Sequence, residues 1–369
     1  MTHKANDVYV IGLGLHPATL REDGLRLEEM VYQTCRRALD HAGVSRAQLD
    51  NVVLGASDEL DGRPITNMLL SAPAGGYLKD EIRVTDSGAN ALCMGFARIR
   101  TGEFDLGLVG SWCKGSKIDS ETVMNLRADP FYYRPLGMGT RVANGLLAQA
   151  VMQHGVDENE VNRRVLAAYE RARSNPRGLR RAVPPLGDLQ DAPYEAAPLR
   201  QGQSAARTDG AVALILASGR FLNANRGCRP LARMAGAGWA SDSYALGARR
   251  LGDFNSARTA WNKALAMSDR TSAADFDVIE LESPTGWHEA AWVRVFGISD
   301  ENVVSPSGGV FAQNPEFCSG LINAAEAVLQ VAGQAGAVQR PVVRAAAAHS
   351  CHGFAQQGNV VVMFDRGGL

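Results

Sequence analysis

The chain has 369 residues, 46% of them hydrophobic and 21% charged, with a net charge of −1. That length is long for one hydrophobic core and fits two domains or two similar halves. The near-neutral balance excludes the basic footprint of a nucleic-acid or anionic-membrane binder, and no run approaches the ~18 apolar residues needed to span a bilayer.

In chain order, Val8–Gly14 reads as a first strand. Its Gly12-Leu13-Gly14 lacks the third glycine and the following helix of a nucleotide loop, so it reads as a glycine-punctuated strand end. Leu27, Met30, Val31, Ala38, Leu39 and Ala42 form the apolar stripe of a helix that Gly43 ends. A strand follows at Asn51–Gly55, and another ends in Val84-Thr85-Asp86-Ser87-Gly88. Helix Ala89–Arg100 and strand Leu106–Gly110 come next. The stretch Lys114–Leu199 is rich in Arg, Pro and Asn and reads as an inserted loop or cap over a cleft, with one helix at Glu158–Asn175. Its arginines, Arg163, Arg164, Arg171, Arg173, Arg177, Arg180 and Arg181, are candidates to meet an anionic ligand, or else a solvated polar face. Ala211–Ala217 is an apolar strand that closes the first half.

The order then repeats. A helical stretch around Trp261–Met267 leads into strand Asp277–Leu281, then Phe317-Cys318-Ser319-Gly320, helix Leu321–Gly333, strand Val342–Ala346 and Ser350-Cys351-His352-Gly353. The run Ala345–Ala348 suits a strand squeezed between layers, although propensity alone permits a helix. Alternating strands and helices predict α/β layers. The boundaries expected are 1–228 for the first half, with 114–199 inserted, and 229–369 for the second. Six cysteines, at 35, 93, 113, 228, 318 and 351, include no CxxC pair and point to reduced thiols in the cytoplasm. The N-terminus lacks the apolar region of a signal peptide. The histidines do not cluster at metal-ligand spacing, so no metal site is expected.

With Ser87-Gly88 before a helix, Asp209-Gly210-Ala211, Ser307-Gly308-Gly309 and Cys351-His352-Gly353 in this order, the whole chain resembles the thiolase superfamily. The sterol-carrier-protein thiolase branch is the nearest, through Asn175-Pro176, Pro198-Leu199-Arg200 and Asp209-Gly210-Ala211-Val212-Ala213. The resemblance implies a five-layered α/β/α/β/α fold from two similar halves, with the Ser87-Gly88 and Ser319-Gly320 helices in the middle layer. It also implies a coenzyme A thioester as substrate, no permanently bound cofactor, and a homodimer or heteromer paired through the first half. Some members of that branch work with a small zinc-ribbon/OB-fold protein, so an external partner is expected.

The family's four motifs survive unevenly. The nucleophilic cysteine position holds Thr85, the Asn-Glu-Ala-Phe motif falls on Glu282-Ser283-Pro284-Thr285, the Gly-His-Pro motif on Gln313-Asn314-Pro315, and the final Cys-x-Gly is intact at Cys351-His352-Gly353. A threonine hydroxyl is far from ionised at neutral pH and needs an adjacent base. Asp86 points away from it on a strand end, so Thr85 reads as a space-filling or hydrogen-bonding group. By resemblance, Cys351 becomes the proton-transfer group, Asn314 polarises a carbonyl, and the backbone N–H groups of Thr85 and Gly353 form an oxyanion hole. Glu282 is a cleft-facing carboxyl, and His352 and His288 are candidate replacements for the missing imidazole. Gly353, Ser307 and Gly308 are the residues expected against the coenzyme.

Retro-aldol cleavage needs a base and an enolate hole but no acyl-enzyme, so an acyl-CoA carbon–carbon lyase is the leading expectation. The alternatives are an acyltransferase whose nucleophile lies elsewhere, with Cys113 and Cys318 as candidates, and a catalytically silent subunit of a heteromer.

Overall fold

The computed structural model describes residues 3–367. The first half runs β1 (Val8–Leu15), α1 (Leu27–Ala42), β2 (Asn51–Gly55), α2 (Asp58–Asp61), α3 (Thr66–Ala74), β3 (Asp80–Val84), α4 (Gly88–Arg100) and β4 (Leu106–Cys113). A helical cap follows, with α5 (Ser120–Arg127), α6 (Thr140–Gln153), α7 (Glu158–Ser174), α8 (Leu186–Gln190) and a small hairpin of β5 (Tyr194–Ala196) and β6 (Leu199–Arg200). Then come β7 (Gly210–Ser218) and α9 (Gly219–Ala224). The second half is β8 (Ala232–Ser241), α10 (Ala248–Asp253), α11 (Asn255–Ser268), β9 (Val278–Glu280), α12 (Gly286–Val295), α13 (Ser319–Ala332), β10 (Ala345–His352) and β11 (Gly358–Asp365).

Local chemistry sets the ends of these elements. The α1 stripe predicted from periodicity is buried, and Gly43 closes the helix at φ 67°, a conformation that costs glycine no Cβ clash. Ser87 caps α4 by accepting the Asn90 N–H at 3.2 Å, satisfying one of the orphan donors of a helix start. Ser319 does not cap α13 as Ser87 caps α4. It is the first residue of α13, and its hydroxyl donates to Asn314 Oδ1 at 3.2 Å.

Nine strands form one sheet in the order β3-β2-β4-β7-β1-β8-β11-β10-β9. The halves meet where β1 pairs with β8 through Tyr9–Arg233 and Val10–Ala232. Moving outward from that seam, β1, β7, β4, β2 and β3 are matched by β8, β11, β10, β9 and a single parallel bridge between Ile279 and Val304. The layers follow from the three main core clusters. α4 and α13 pack together between the two halves of the sheet, α1 and α3 cover the outer face of the first half, and α11 and α12 cover that of the second. This is the five-layered α/β/α/β/α arrangement expected, with the Ser87-Gly88 and Ser319-Gly320 helices in the middle.

The glycine-punctuated β1 has a packing role. A Cβ on Gly12 or Gly14 would overlap the backbone of α1 at Ala38 or Thr34. Gly236 and Gly238 of β8 bear the same relation to α11, at Ala264 and Ala260. Each outer helix therefore lies directly on strand backbone.

Two sequence expectations need correction. The stretch 114–199 is mostly helical: α6 was not anticipated, because its stripe of Ala143, Leu147, Ala148 and Val151 is weakly apolar and contains Gly145. That glycine lets α6 approach Ala196 of β5. The last motif was placed after its strand, yet β10 continues through Cys351 and His352, paired residue by residue with β11 from Ala345–Asp365 to His352–Gly358. Parallel pairing with β9 on its other side holds the alanine run extended.

Candidate active site

Loops from both halves and from the cap enclose a cavity of about 480 Å³. The first half contributes Asp86 and Ser87, the second Glu282, Asn314, Glu316, Phe317, Cys351, His352 and Gly353. The cap side adds Glu121, Arg127, Thr140, Arg141, Asn144, Glu195 and Ser204, with Arg207 from the approach to β7. Strand ends position the reactive groups: Cys351 lies near the end of β10, and Glu282 two residues past β9, the adjacent strand.

The carboxyl of Glu282 is buried and accepts the Ser350 hydroxyl at 2.7 Å. Burial pushes its pKa up to about 8, and the nearby Glu316 carboxyl opposes ionisation further. Glu282 is therefore a neutral acid at pH 7. Cys351 is also buried, with its Sγ 3.6 Å from the Glu282 carbonyl oxygen, and burial pushes its thiol well above the usual range. It is a thiol, a proton donor rather than a ready nucleophile. Asn314 is fixed through its backbone: its N–H donates to Thr208 Oγ1 at 3.0 Å, and its carbonyl accepts the Thr208 N–H at 3.0 Å. With Oδ1 taken by Ser319, the amide nitrogen has no protein partner among the described residues.

Glu316 was not singled out from the sequence. Burial raises its pKa, opposed by Arg207, whose Nε lies 2.6 Å from Glu316 Oε1. The same guanidinium donates from Nη2 to Glu121 Oε1 at 2.8 Å. Signals were present, since Glu316 directly follows Asn314-Pro315, but Arg207 becomes its partner only in the folded chain.

Five of the candidates named from sequence, Cys351, Asn314, His352, Glu282 and Gly353, line this one cavity. Burial lowers the His352 pKa, with Asp86 acting against that shift. Thr85 is exposed and does not line the cavity, although the two residues after it do. Ser307 and Gly308 lie elsewhere. The Ser307 hydroxyl donates to buried Glu280 at 2.6 Å, and Gly308 packs against Ala172 of α7. His288 is fully buried behind Thr285, 2.8 Å from its hydroxyl, and stays neutral because burial lowers its pKa to about 3. Cys113 and Cys318 are buried away from the cavity lining, and burial raises both thiols. None of the seven cap arginines lines the cavity. Arg164 bridges Glu160 and Glu301 at 2.9 and 2.7 Å, Arg171 pairs with Glu289 at 3.1 Å, and Arg177 with Glu326 at 2.5 Å. Among the described residues no cluster is arranged to hold a metal, and no helix is long and apolar enough to cross a membrane.

This architecture is the thiolase fold. The chain superposes on human mitochondrial 3-ketoacyl-CoA thiolase in complex with CoA with a TM-score of 0.77 at 17% identity, covering 99% of each chain. It matches the Ltp2-ChsH2(DUF35) aldolase with a TM-score of 0.77 at 15% identity, over 98% of this chain and 99% of that one. An acetyl-CoA acetyltransferase from Syntrophomonas wolfei gives 0.76 at 15% identity, over 98% and 100%. No protein-family model matches the chain, and no curated protein matches it by sequence.

Proposed function

We propose that this chain is a carbon–carbon lyase of the retro-aldol type acting on CoA thioesters, in an atypical thiolase-like site divided between halves 1–228 and 229–369. One observation carries the reading. Two carboxyl groups, the buried Glu282 and the half-buried Glu316, share a cavity with Cys351 and Asn314, while the nucleophile position holds an exposed threonine. Acid and base groups are supplied and an acyl acceptor is not.

The β-hydroxyl of the substrate gives its proton to the Glu316 carboxylate, whose ionised form Arg207 favours. The Cα–Cβ bond breaks, an aldehyde or ketone leaves, and the bonding pair moves into the thioester as an enolate. The Asn314 amide, the Gly353 N–H and the neutral Glu282 carboxyl stabilise the enolate oxygen. The Cys351 thiol protonates the enolate carbon, and the proton on Glu316 returns through solvent to the thiolate. Arg127 and Arg141, at the cavity from α5 and α6, are the cations available to the coenzyme phosphates.

Assembly is part of the proposal. β3 is an edge strand of the sheet, with Ile65, Met68, Tyr77 and Leu78 exposed nearby, and an open edge favours pairing with a second copy or a subunit of a heteromer. The exposed Leu126, Phe131, Tyr132 and Leu136 of the cap offer a surface for a small partner protein.

The test is mass spectrometry after incubation with a panel of β-hydroxyacyl-CoA thioesters. Expected are a released aldehyde or ketone and a shortened acyl-CoA, with no covalent adduct. An acyl group on Thr85, Cys113 or Cys318 would establish an acyltransferase. No turnover with any thioester, even beside a partner protein, would establish a silent subunit.

A further inference from the structure

We propose that the acyl group this cavity accepts carries hydroxyl groups beyond its β-carbon, which places the substrates among hydroxylated acyl thioesters and not alkyl ones. This rests on the CoA-thioester reading above. Beside apolar Leu60, Met124, Pro284 and Phe317, the cavity lining carries a polar patch on its cap side. Thr140 and Asn144 lie one turn apart on α6 and both line the cavity. Asn144 is only 6% exposed. Its Oδ1 accepts the Gln356 amide at 3.1 Å, and no described residue takes its amide nitrogen. Beside it stands Glu195 of β5, brought close because Gly145 packs against Ala196. Glu195 accepts one hydrogen bond, from the Ser204 hydroxyl at 3.2 Å, and has no cation within reach among the described residues.

An alkyl tail laid on this patch would strip water from a free donor and the Glu195 carboxylate and return nothing. A hydroxyl replaces that water on both sides, accepting from Asn144 and donating to Glu195. An ammonium group satisfies the carboxylate alone, and an acidic tail is repelled by it. Sites built to hydrogen-bond a substrate hydroxyl reject the analogue that lacks it far more strongly than apolar pockets reject a missing methylene.

The experiment is competition binding of three matched thioesters, hexanoyl-CoA, ω-hydroxyhexanoyl-CoA and ω-aminohexanoyl-CoA, to the full chain. The hydroxylated compound should bind about tenfold more tightly than hexanoyl-CoA. Glu195→Gln and Asn144→Ala should each bring that ratio to within about twofold, with folding checked by thermal melting. Equal binding of the alkyl and hydroxylated compounds overturns the proposal and leaves the CoA-thioester reading standing. A preference for the amine over the hydroxyl overturns it in favour of the carboxylate alone. If none of the three binds, both readings fall.

Discussion

The outer faces of the two halves and the cleft between them have been built under different constraints. On the outer faces the halves agree closely. Gly12 and Gly14 of β1 lie under α1 as Gly236 and Gly238 of β8 lie under α11, each pair set against helix backbone. At the cleft the agreement ends. The β3–α4 junction presents an exposed Thr85 and Asp86, whereas the corresponding edge of the second half presents buried Glu282, Asn314 and Cys351 with the half-buried Glu316 beside them. Backbone packing is repeated because each half solves the same layering problem. The proposed reaction needs its acid and base groups only once, and its candidate residues lie in the second half, with the first half contributing a loop and the cap.

The sharpest way to break this comparison is to remove groups from each side of the cleft. Cys351→Ala or Glu316→Gln should lower kcat/KM for a β-hydroxyacyl-CoA by about 10²–10³, the range for a lost general acid or base. Thr85→Ala should stay within about threefold. Steady-state kinetics on the three variants checks the asymmetry, and a Thr85→Ala variant as inactive as Cys351→Ala would reverse it.

The outer faces should respond alike. Gly14→Ala and Gly238→Ala each force a methyl into helix backbone, and each should destabilise the chain by about 2–3 kcal/mol through overpacking. Urea unfolding of both variants measures this. A large loss at one position only would mean that the two halves are not packed equivalently.

The fold was legible because its signals are local. Ser87-Gly88 and Gly43 mark helix ends, and the apolar periods of α1 and α7 survive into the structure. Gly236-Ala237-Gly238 repeats the spacing of Gly12-Leu13-Gly14, and that repeat was available as evidence for packing, though only the first copy was noticed. The cleft was legible where a motif stayed contiguous, at Cys351-His352-Gly353 and at Asn314. It was not legible at Arg207–Glu316, whose meaning comes from an ion pair between distant segments. Nor was it legible at Ser307, which serves the buried Glu280 carboxyl and not the cavity.

That Glu280 carboxyl sharpens the comparison from the structural side. Burial, with Glu326 nearby, raises its pKa to about 8. The folded chain therefore holds a proton that the unfolded chain releases at the ordinary carboxylate pKa, and stability falls as pH rises between the two values. From pH 6 to pH 8 the loss should be about 2 kcal/mol. Glu280→Gln keeps an oxygen for the Ser307 N–H and offers an amide to its hydroxyl, so it should lose about half of the pH slope over that window, the rest coming from Glu282, whose pKa of about 8 gives the same dependence. Denaturant melts at the two pH values test this, and an equal slope in the variant would assign the dependence to another group.

The smallest expected effect is also the one that isolates the role of Glu282. Glu282 has a raised pKa of about 8, so its neutral form, the one that the proposed mechanism needs as a donor to the enolate oxygen, is present at pH 7 and is lost as pH rises through 8. kcat/KM should then fall about tenfold for each pH unit above 8. Glu282→Gln retains an N–H donor at every pH but cannot supply a full proton. Its rate at pH 7 should drop by about tenfold, and its limb near pH 8 should disappear. Keeping the wild-type limb in Glu282→Gln would move the titrating group elsewhere. A second variant, Ser350→Ala, removes the hydrogen bond that Glu282 accepts at 2.7 Å. That bond favours the ionised carboxylate, so its loss should move the limb to higher pH, a shift that a purely structural Glu282 would not produce.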